Sequence, residues 1–226
     1  MNYLAIGLAI ILIIVLYYAY YYLTNNSLTA GLQSLSQKTT VPYYKLTNPN
    51  ASTYSYQCWL YLSQPGPGLT PIFSRGETAF NEFEVDISGQ NLSLMGGTGV
   101  ASSKKQIMLI TNNFPLQKWT YLVINVSNLS TYEAYINGKL VKTVNVSEPS
   151  KFTPNSNQSN LVIGDTSLSG YTTQFTRTTT PMDAKTVWNT YLSGNGLSNY
   201  FSNLIPYGLT MSIANGEDVQ RVIKMF

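Results

Sequence analysis

The sequence contains no histidine, and Cys58 is its only cysteine. The lack of histidine excludes Ser-His-Asp and Cys-His catalysis, histidine-ligated zinc or haem, and pH switching by histidine. A single cysteine excludes an intrachain disulfide and any metal site that is built from several cysteines. Most familiar enzyme mechanisms are therefore excluded before any motif is considered.

Charged residues are also scarce, at 10% of the 226 residues, against roughly 25% in an ordinary soluble domain. Uncharged polar residues take their place, with 21 Asn, 23 Ser, 24 Thr and 18 Tyr. The net charge is +3 and no run of basic residues occurs, so the composition does not favour nucleic acid as a partner. It favours an apolar membrane segment, a β-rich surface, or both.

A hydrophobic run from Tyr3 to Leu23 contains neither a charged residue nor proline. As a helix it would span about 31 Å, which is close to the hydrocarbon thickness of a bilayer. No basic segment precedes it and no small-residue cleavage site follows it, which favours a retained single-pass anchor over a cleaved signal peptide or a buried core helix. The residues that define the predicted anchor are Tyr3, Leu4, Ile10, Ile14, Leu16, Tyr17, Tyr18, Tyr20, Tyr21, Tyr22 and Leu23.

Three signals bear on the side of the membrane on which the body lies, and they disagree. Lys38 and Lys45 are the first charges after the anchor, and this positive bias favours the cytosolic side. The lack of a disulfide also suits a reducing compartment. Seven Asn-x-Ser sequons favour the opposite side, although all of them use Ser where Thr is as abundant: Asn25, Asn50, Asn91, Asn125, Asn128, Asn145 and Asn157.

Beyond the anchor over residues 1–23, we expect a polar tether over residues 24–40 and one domain over residues 41–226. The tether shows no strand signal, and its leucines at 28, 32 and 35 have the spacing of a short helix. In the domain, short runs suited to strands alternate with turn residues, and Asn137-Gly138 and Asn215-Gly216 are strong hairpin signals. The predicted strands are Tyr54–Ser63, Pro71–Ser74, Glu82–Ser88, Asn91–Met95, Lys105–Thr111, Thr120–Val126, Thr131–Ile136, Leu140–Val146, Leu161–Ile163, Leu209–Ala214 and Val219–Phe226.

One helix interrupts this series of strands. Thr180 is a candidate N-cap, Pro181 suits the first helical position, and Gly194 suits the position after the last turn. Between them, Val187, Trp188, Tyr191 and Leu192 form an apolar stripe. The pattern predicts an all-β fold, an antiparallel jelly-roll sandwich with one short late helix.

Six short stretches resemble laminin-G-like domains of the concanavalin A-like lectin/glucanase superfamily, over roughly residues 42–200. They are Tyr56–Leu62, Ile72–Gly76, Phe114–Ile124, Tyr135–Leu140, Leu161–Gly164 and Pro181–Gly196. The resemblance implies a concanavalin A-like jelly roll in which the three tryptophans belong to the core. The residues that carry the family pattern are Trp59, Trp119, Tyr135, Asn137, Gly138, Gly164 and Trp188.

The resemblance to glucanases raises the question of catalysis on the strand that holds Glu82, Glu84 and Asp86. Alternation places these three acids on one face, but Ser88 and Gly89 stand where the acid/base glutamate of the E-x-D-x-x-E pattern belongs. We therefore expect a solvated strand face and no enzymatic activity. We expect Cys58 to be a buried, inert thiol.

No cofactor is predicted, and calcium, which laminin-G-like domains often bind, is the alternative. Anchored domains of this composition resemble proteins of large double-stranded DNA viruses. The main functional hypothesis is a non-enzymatic minor capsid protein in the virion, which links an internal membrane to the capsid shell. Its partners would be the lipid bilayer and other capsid or membrane proteins. The alternative is a membrane-anchored lectin-like or adhesion protein that binds carbohydrate through aromatic rings and amide side chains.

Overall fold

The computed structural model describes residues 8, 11–19, 27–29, 31–75, 83–97, 104–147, 159–196, 210–215 and 218–224. Residues 8 and 11–19 are helical and are here called α1. The later helix α2 covers Ala184–Leu192, and a short 3-10 turn covers Tyr43–Lys45.

In the described part of the chain, twelve strands form two six-stranded antiparallel sheets. Sheet A has the spatial order β1 (Gln33–Ser34), β12 (Gly170–Thr178), β3 (Tyr54–Leu62), β8 (Thr120–Ser127), β9 (Thr131–Ile136) and β10 (Lys139–Asn145). Sheet B has the order β2 (Thr39–Val41), β11 (Leu161–Ile163), β4 (Gly66–Arg75), β5 (Phe83–Gly89), β6 (Asn91–Gly97) and β7 (Lys104–Thr111). Strands β13 (Thr210–Asn215) and β14 (Asp218–Lys224) pair with each other as an antiparallel hairpin.

Alternation of side chains along the strands explains why the two sheets pack face to face. In β3 the even-numbered residues from Tyr54 to Leu62 belong to the core cluster, and so do Phe83, Val85 and Ile87 of β5. At the centre, the Phe73 and Phe175 rings meet edge to face with their centroids 4.9 Å apart. Because Phe73 lies in sheet B and Phe175 in sheet A, this contact joins the two layers.

The predicted all-β antiparallel sandwich with one short late helix is confirmed, and every predicted strand corresponds to an observed one. The clearest difference in length is β4, which begins at Gly66 and not at Pro71. Gly66, in the QPGPG segment ahead of the predicted strand, pairs with Gly89 of β5. A Cβ on Gly66 would lie 2.8 Å from the Ile87 carbonyl oxygen, so the strand continues there because glycine permits this close approach.

The expectation of a tether without strands is wrong for the residues that form β1 and β2. These two strands pair with β12 and β11, one in each sheet. Leu35 between them is fully buried in the core, and the Lys38 ammonium lies 3.0 Å from the Asp165 carboxylate. Strand propensity did not predict β1 and β2, because strands of only two and three residues are stabilised by pairing with neighbouring strands and by the buried Leu35. The predicted domain boundaries otherwise stay a prediction.

The start of α2 differs from the sequence prediction by three residues. Asp183, and not Thr180, is the N-cap, and its carboxylate accepts hydrogen bonds from the backbone N–H groups of Lys185 and Thr186, each at 3.0 Å. A hydrogen bond from the Thr186 hydroxyl, together with these backbone bonds, holds the pKa of Asp183 below its ordinary value. The predicted end is confirmed, because Gly194 has a φ of +76° and follows the C-cap Ser193.

The predicted N-terminal anchor is described only in part. In α1 the apolar side chains are exposed, from 49% at Ile14 to 66% at Tyr18. Among the described residues, no helix combines the length and the apolar character that a membrane span requires. The other anchor residues lie outside the described residues: Tyr3, Leu4, Ile10, Tyr20, Tyr21, Tyr22 and Leu23.

Candidate functional site

The outward face of sheet A carries a second cluster of apolar residues, which helix α2 partly covers. Trp59, Tyr121 and Tyr135 alternate with core residues along their strands, so they point away from the sandwich and pack against Val187 of α2. The Trp59 ring stacks on Tyr191 of the helix, with centroids 5.7 Å apart and planes 22° apart. The helix is thus held to the sheet by aromatic contacts.

Polar contacts fix the segment that leads into α2. Asn125 of β8 is buried, and its side-chain amide donates to the Met182 carbonyl at 2.9 Å and accepts from the Met182 N–H at 3.0 Å. The same amide nitrogen lies 3.2 Å from a carboxylate oxygen of Glu133, which also accepts from the Tyr135 hydroxyl at 3.2 Å. The Asn125 side chain therefore pairs with both backbone groups of Met182. These bonds hold the residue that directly precedes the N-cap of α2.

The predicted hairpin at Asn137-Gly138 is confirmed, and it also contacts the helix. Both residues have positive φ, 50° and 80°, as a type I′ turn requires. The Asn137 side chain accepts from the Tyr121 N–H at 2.9 Å. A Cβ on Gly138 would lie 2.6 Å from Cε3 of Trp188, so the missing side chain makes room for this ring.

The family-pattern residues lie at several places in the fold. Trp59 is 5% exposed, but Trp119 is only half-buried and Trp188 is 40% exposed. The expectation that Trp188 is in the core is wrong, because this ring covers the turn at Gly138 from the outside of the sheet. Gly164, with a φ of +87°, comes directly after β11, where a Cβ would lie 2.7 Å from the Leu35 carbonyl oxygen.

Three aromatic residues lie on the same outward face of sheet A as the cluster under α2. Tyr61 and Trp119 are half-buried, and their ring centroids are 5.6 Å apart. Tyr171 of β12 is 43% exposed and is the register partner of Tyr61. Residues that face each other across strands have their Cβ atoms about 4.5–5.5 Å apart, so these side chains are neighbours. Tyr61, Trp119 and Tyr171 are here called the aromatic strip.

The sequence prediction missed the aromatic strip because it did not identify β12. The stretch Tyr171–Thr178 is rich in β-branched residues, and this signal could have predicted the strand. Even so, an alternating pattern would not have shown that Tyr171 lies beside Tyr61. That placement depends on the antiparallel register of β12 and β3, which are more than 100 residues apart in the chain.

The two described acids of the glucanase-like strand are buried, which corrects the expected solvated face. Glu84 is 1% exposed and Asp86 is 0% exposed, on the side of β5 opposite to Phe83, Val85 and Ile87. Alternation predicts the side of the sheet to which a residue points, but not what packs on that side. Glu82 lies outside the described residues. Among the described residues, no three acidic or cysteine side chains come together in a group that could hold a metal ion.

Cys58 is buried in the core, as predicted, with 1% of its surface exposed. Burial raises the pKa of its thiol far above the ordinary value, although a hydrogen bond from Thr172 acts in the opposite direction. The thiolate is the reactive form of cysteine, so this thiol is neutral and shielded in the folded protein. Cys58 therefore contributes to packing rather than to chemistry.

Solved structures with a similar fold include three binding domains. The botulinum neurotoxin serotype D binding domain has a TM-score of 0.58 at 16% identity, over 75% of this chain and 44% of that chain. A serotype D ligand-binding domain in complex with N-acetylneuraminic acid has a TM-score of 0.57 at 16% identity, over 73% and 42% of the two chains. The binding domain of Paraclostridial mosquitocidal protein 1 has a TM-score of 0.54 at 12% identity, over 73% and 46%.

These likenesses show the fold alone, and this chain spans less than half the length of each of those chains. No curated protein matches this chain. A family model of the laminin-G type matches residues 34–197, which is more than half of the sequence and includes both sheets and α2. The chain therefore belongs to this laminin-G-type family of the concanavalin A-like lectin/glucanases superfamily.

Proposed function

We propose that the domain is a lectin-like carbohydrate-binding or adhesion module, and that its ligand contacts the aromatic strip. The observation that carries this proposal is the presence of Tyr61, Trp119 and Tyr171 side by side on an outward sheet face. Flat aromatic rings bury the apolar face of a sugar, while hydroxyl and indole N–H groups at their edges donate hydrogen bonds. Tyrosine and tryptophan also lose little conformational entropy on binding.

The likeness to receptor-binding domains supports binding rather than catalysis. One of the similar structures is a complex with N-acetylneuraminic acid, an acidic sugar. The buried state of Glu84 and Asp86 agrees with a non-enzymatic role, since a catalytic pair has to reach its substrate. Carbohydrate is therefore the proposed partner of this chain.

We expect binding to a glycan array by the full chain in mild detergent, and a loss of affinity in Trp119→Ala and in Tyr171→Ala. Each ring supplies about 1.4 kcal/mol of contact energy, so each substitution weakens binding about tenfold. Tyr44→Ala is the matched control, because Tyr44 is 71% exposed and lies outside the aromatic strip. No array signal for wild type, or equal losses in all three variants, would overturn the proposal.

The hydrophobic N-terminal run is proposed to anchor this module in a membrane. The exposed apolar surface of α1 supports this role, because exposed side chains such as Ile13, at 65%, are costly in water. We expect the full chain to stay with membranes after alkaline carbonate washing, and a chain without residues 1–26 to be released. Release of both forms would contradict the anchor.

The role of a minor capsid protein that joins an internal viral membrane to the shell stays a prediction. The low-charge polar composition and the proposed anchor support it. We expect mass spectrometry of purified particles to find a fixed copy number that stays with the shell when detergent removes the lipid. Absence from the particles would contradict this role and leave the lectin-like module as the sole proposal.

A further inference from the structure

A cavity of about 360 Å³ lies at the end of the sandwich opposite to the aromatic strip. The described residues that line it are Ser27, Leu28, Lys45, Thr47 and Arg177. Two of these five residues are cations and none is acidic. Arg177 lies six residues after Tyr171 on β12, which is about 20 Å at 3.3 Å per residue. The cavity is therefore a separate site from the strip.

Arg177 is an unusual residue for this position because its side chain is almost fully buried, at 4% exposed. One of its terminal nitrogens, Nη1, donates to the Thr47 carbonyl. Among the described residues, neither Nε nor Nη2 has a hydrogen-bond acceptor, and both atoms are shielded from solvent. A buried donor without an acceptor costs about 1–3 kcal/mol, and more when the group is charged.

Among the described residues, two aromatic rings face the guanidinium of Arg177. Its guanidinium carbon lies 5.0 Å from the centroid of the Tyr54 ring and 5.7 Å from that of Tyr56. Burial raises the pKa of Tyr54 well above its ordinary value, and the nearby Tyr56 adds to this shift. The phenol is therefore neutral, and the rings offer only the weaker attraction between a cation and a π face.

We propose that this cavity binds an oxyanion, a carboxylate or a sulfate group, which accepts hydrogen bonds from Arg177. The planar fork of a guanidinium fits such groups, and Lys45 at the cavity wall adds a second positive charge. The volume admits a group about the size of a monosaccharide, so the oxyanion is carried by a sugar or is a free small anion. The inference does not rest on carbohydrate binding by the aromatic strip.

The test is a titration of the full chain in detergent with sodium sulfate, glucuronic acid and glucose at constant ionic strength, followed by calorimetry. We expect saturable binding of glucuronic acid, of sulfate, or of both, and none of glucose. Saturation by sulfate identifies a site for the free anion, whereas saturation by glucuronic acid alone shows that the sugar ring contributes. Absence of saturable binding of either anion, or equal binding of glucose, would overturn the proposal.

Two variants connect the binding to the cavity. Lys45→Gln removes one cation from an exposed side chain, and we expect it to weaken anion binding about fivefold to tenfold. Lys142→Gln on β10 removes the same charge elsewhere and is expected to leave binding unchanged. Arg177→Lys keeps the charge but removes the fork, and should weaken binding more than Lys45→Gln does. Equal affinities in wild type, Lys45→Gln and Arg177→Lys would overturn the site.

Failure of this proposal and failure of the proposed function are distinguishable. Trp119→Ala is expected to reduce glycan-array binding and to leave the binding of sulfate or glucuronic acid intact. Lys45→Gln is expected to reduce binding of those anions, whatever the array shows for neutral glycans. Loss of anion binding in Trp119→Ala would contradict a separate site in the cavity.

Discussion

Phe175→Ala is expected to lower the free energy of unfolding by about 3–5 kcal/mol, the usual cost of truncating a buried phenylalanine to alanine. Phe175 is fully buried, and its ring meets Phe73 of the opposite sheet at 4.9 Å and Tyr56 at 6.1 Å. Truncation removes these contacts and leaves a cavity between the two layers. Because a domain of this size has about 5–15 kcal/mol of stability in total, the variant should be close to its folding limit.

Urea denaturation of the full chain in mild detergent measures this loss. Tyr44→Ala is the control, since it removes a ring of similar size from a site that is 71% exposed. That variant is expected to stay within about 0.5 kcal/mol of wild type. A loss below about 1 kcal/mol in Phe175→Ala would mean that the two sheets do not close on this ring.

Gly138→Ala is expected to cost about 2–5 kcal/mol, from two sources. The turn needs a φ of +80° at this position, and a residue with a Cβ pays about 1–2 kcal/mol there. The new methyl group would also lie 2.6 Å from Cε3 of Trp188 and 3.2 Å from Cδ1 of Tyr191. Overpacking of this kind typically adds about 1–3 kcal/mol, and the resulting movement of Trp188 should change the tryptophan fluorescence.

Gly89→Ala separates the two contributions. Gly89 also has a positive φ, +62°, in the turn between β5 and β6, but a Cβ there would meet nothing within 4 Å. It should therefore cost only the conformational part, about 1–2 kcal/mol. In a Trp188→Ala background the cost of Gly138→Ala should fall towards that value, as a double-mutant cycle would show, with the 3.2 Å approach to Tyr191 left over. An unchanged cost in that background would contradict the packing of α2 on the turn.

Local sequence patterns were sufficient to predict the long strands of this protein. The strands around Tyr56–Leu62 and Tyr121–Val126 were predictable because alternating apolar residues and turn signals act within a few neighbours. The same is true of the hairpin at Asn137-Gly138, of the pairing of β13 with β14, and of the end of α2 at Gly194. These features depend on backbone preferences that a short segment carries with it.

The elements that form the candidate sites could not be predicted from local patterns. β1 and β2 exist because they pair with β12 and β11, and the aromatic strip exists because the register sets Tyr171 beside Tyr61. The cavity likewise depends on residues near position 27, near position 45 and at Arg177, which meet at one end of the sandwich. Local sequence decided which residues alternate, bend or cap, since those preferences act over a few residues. Only the tertiary structure decided which outward faces stay open and which charges are buried, because both depend on contacts between distant segments.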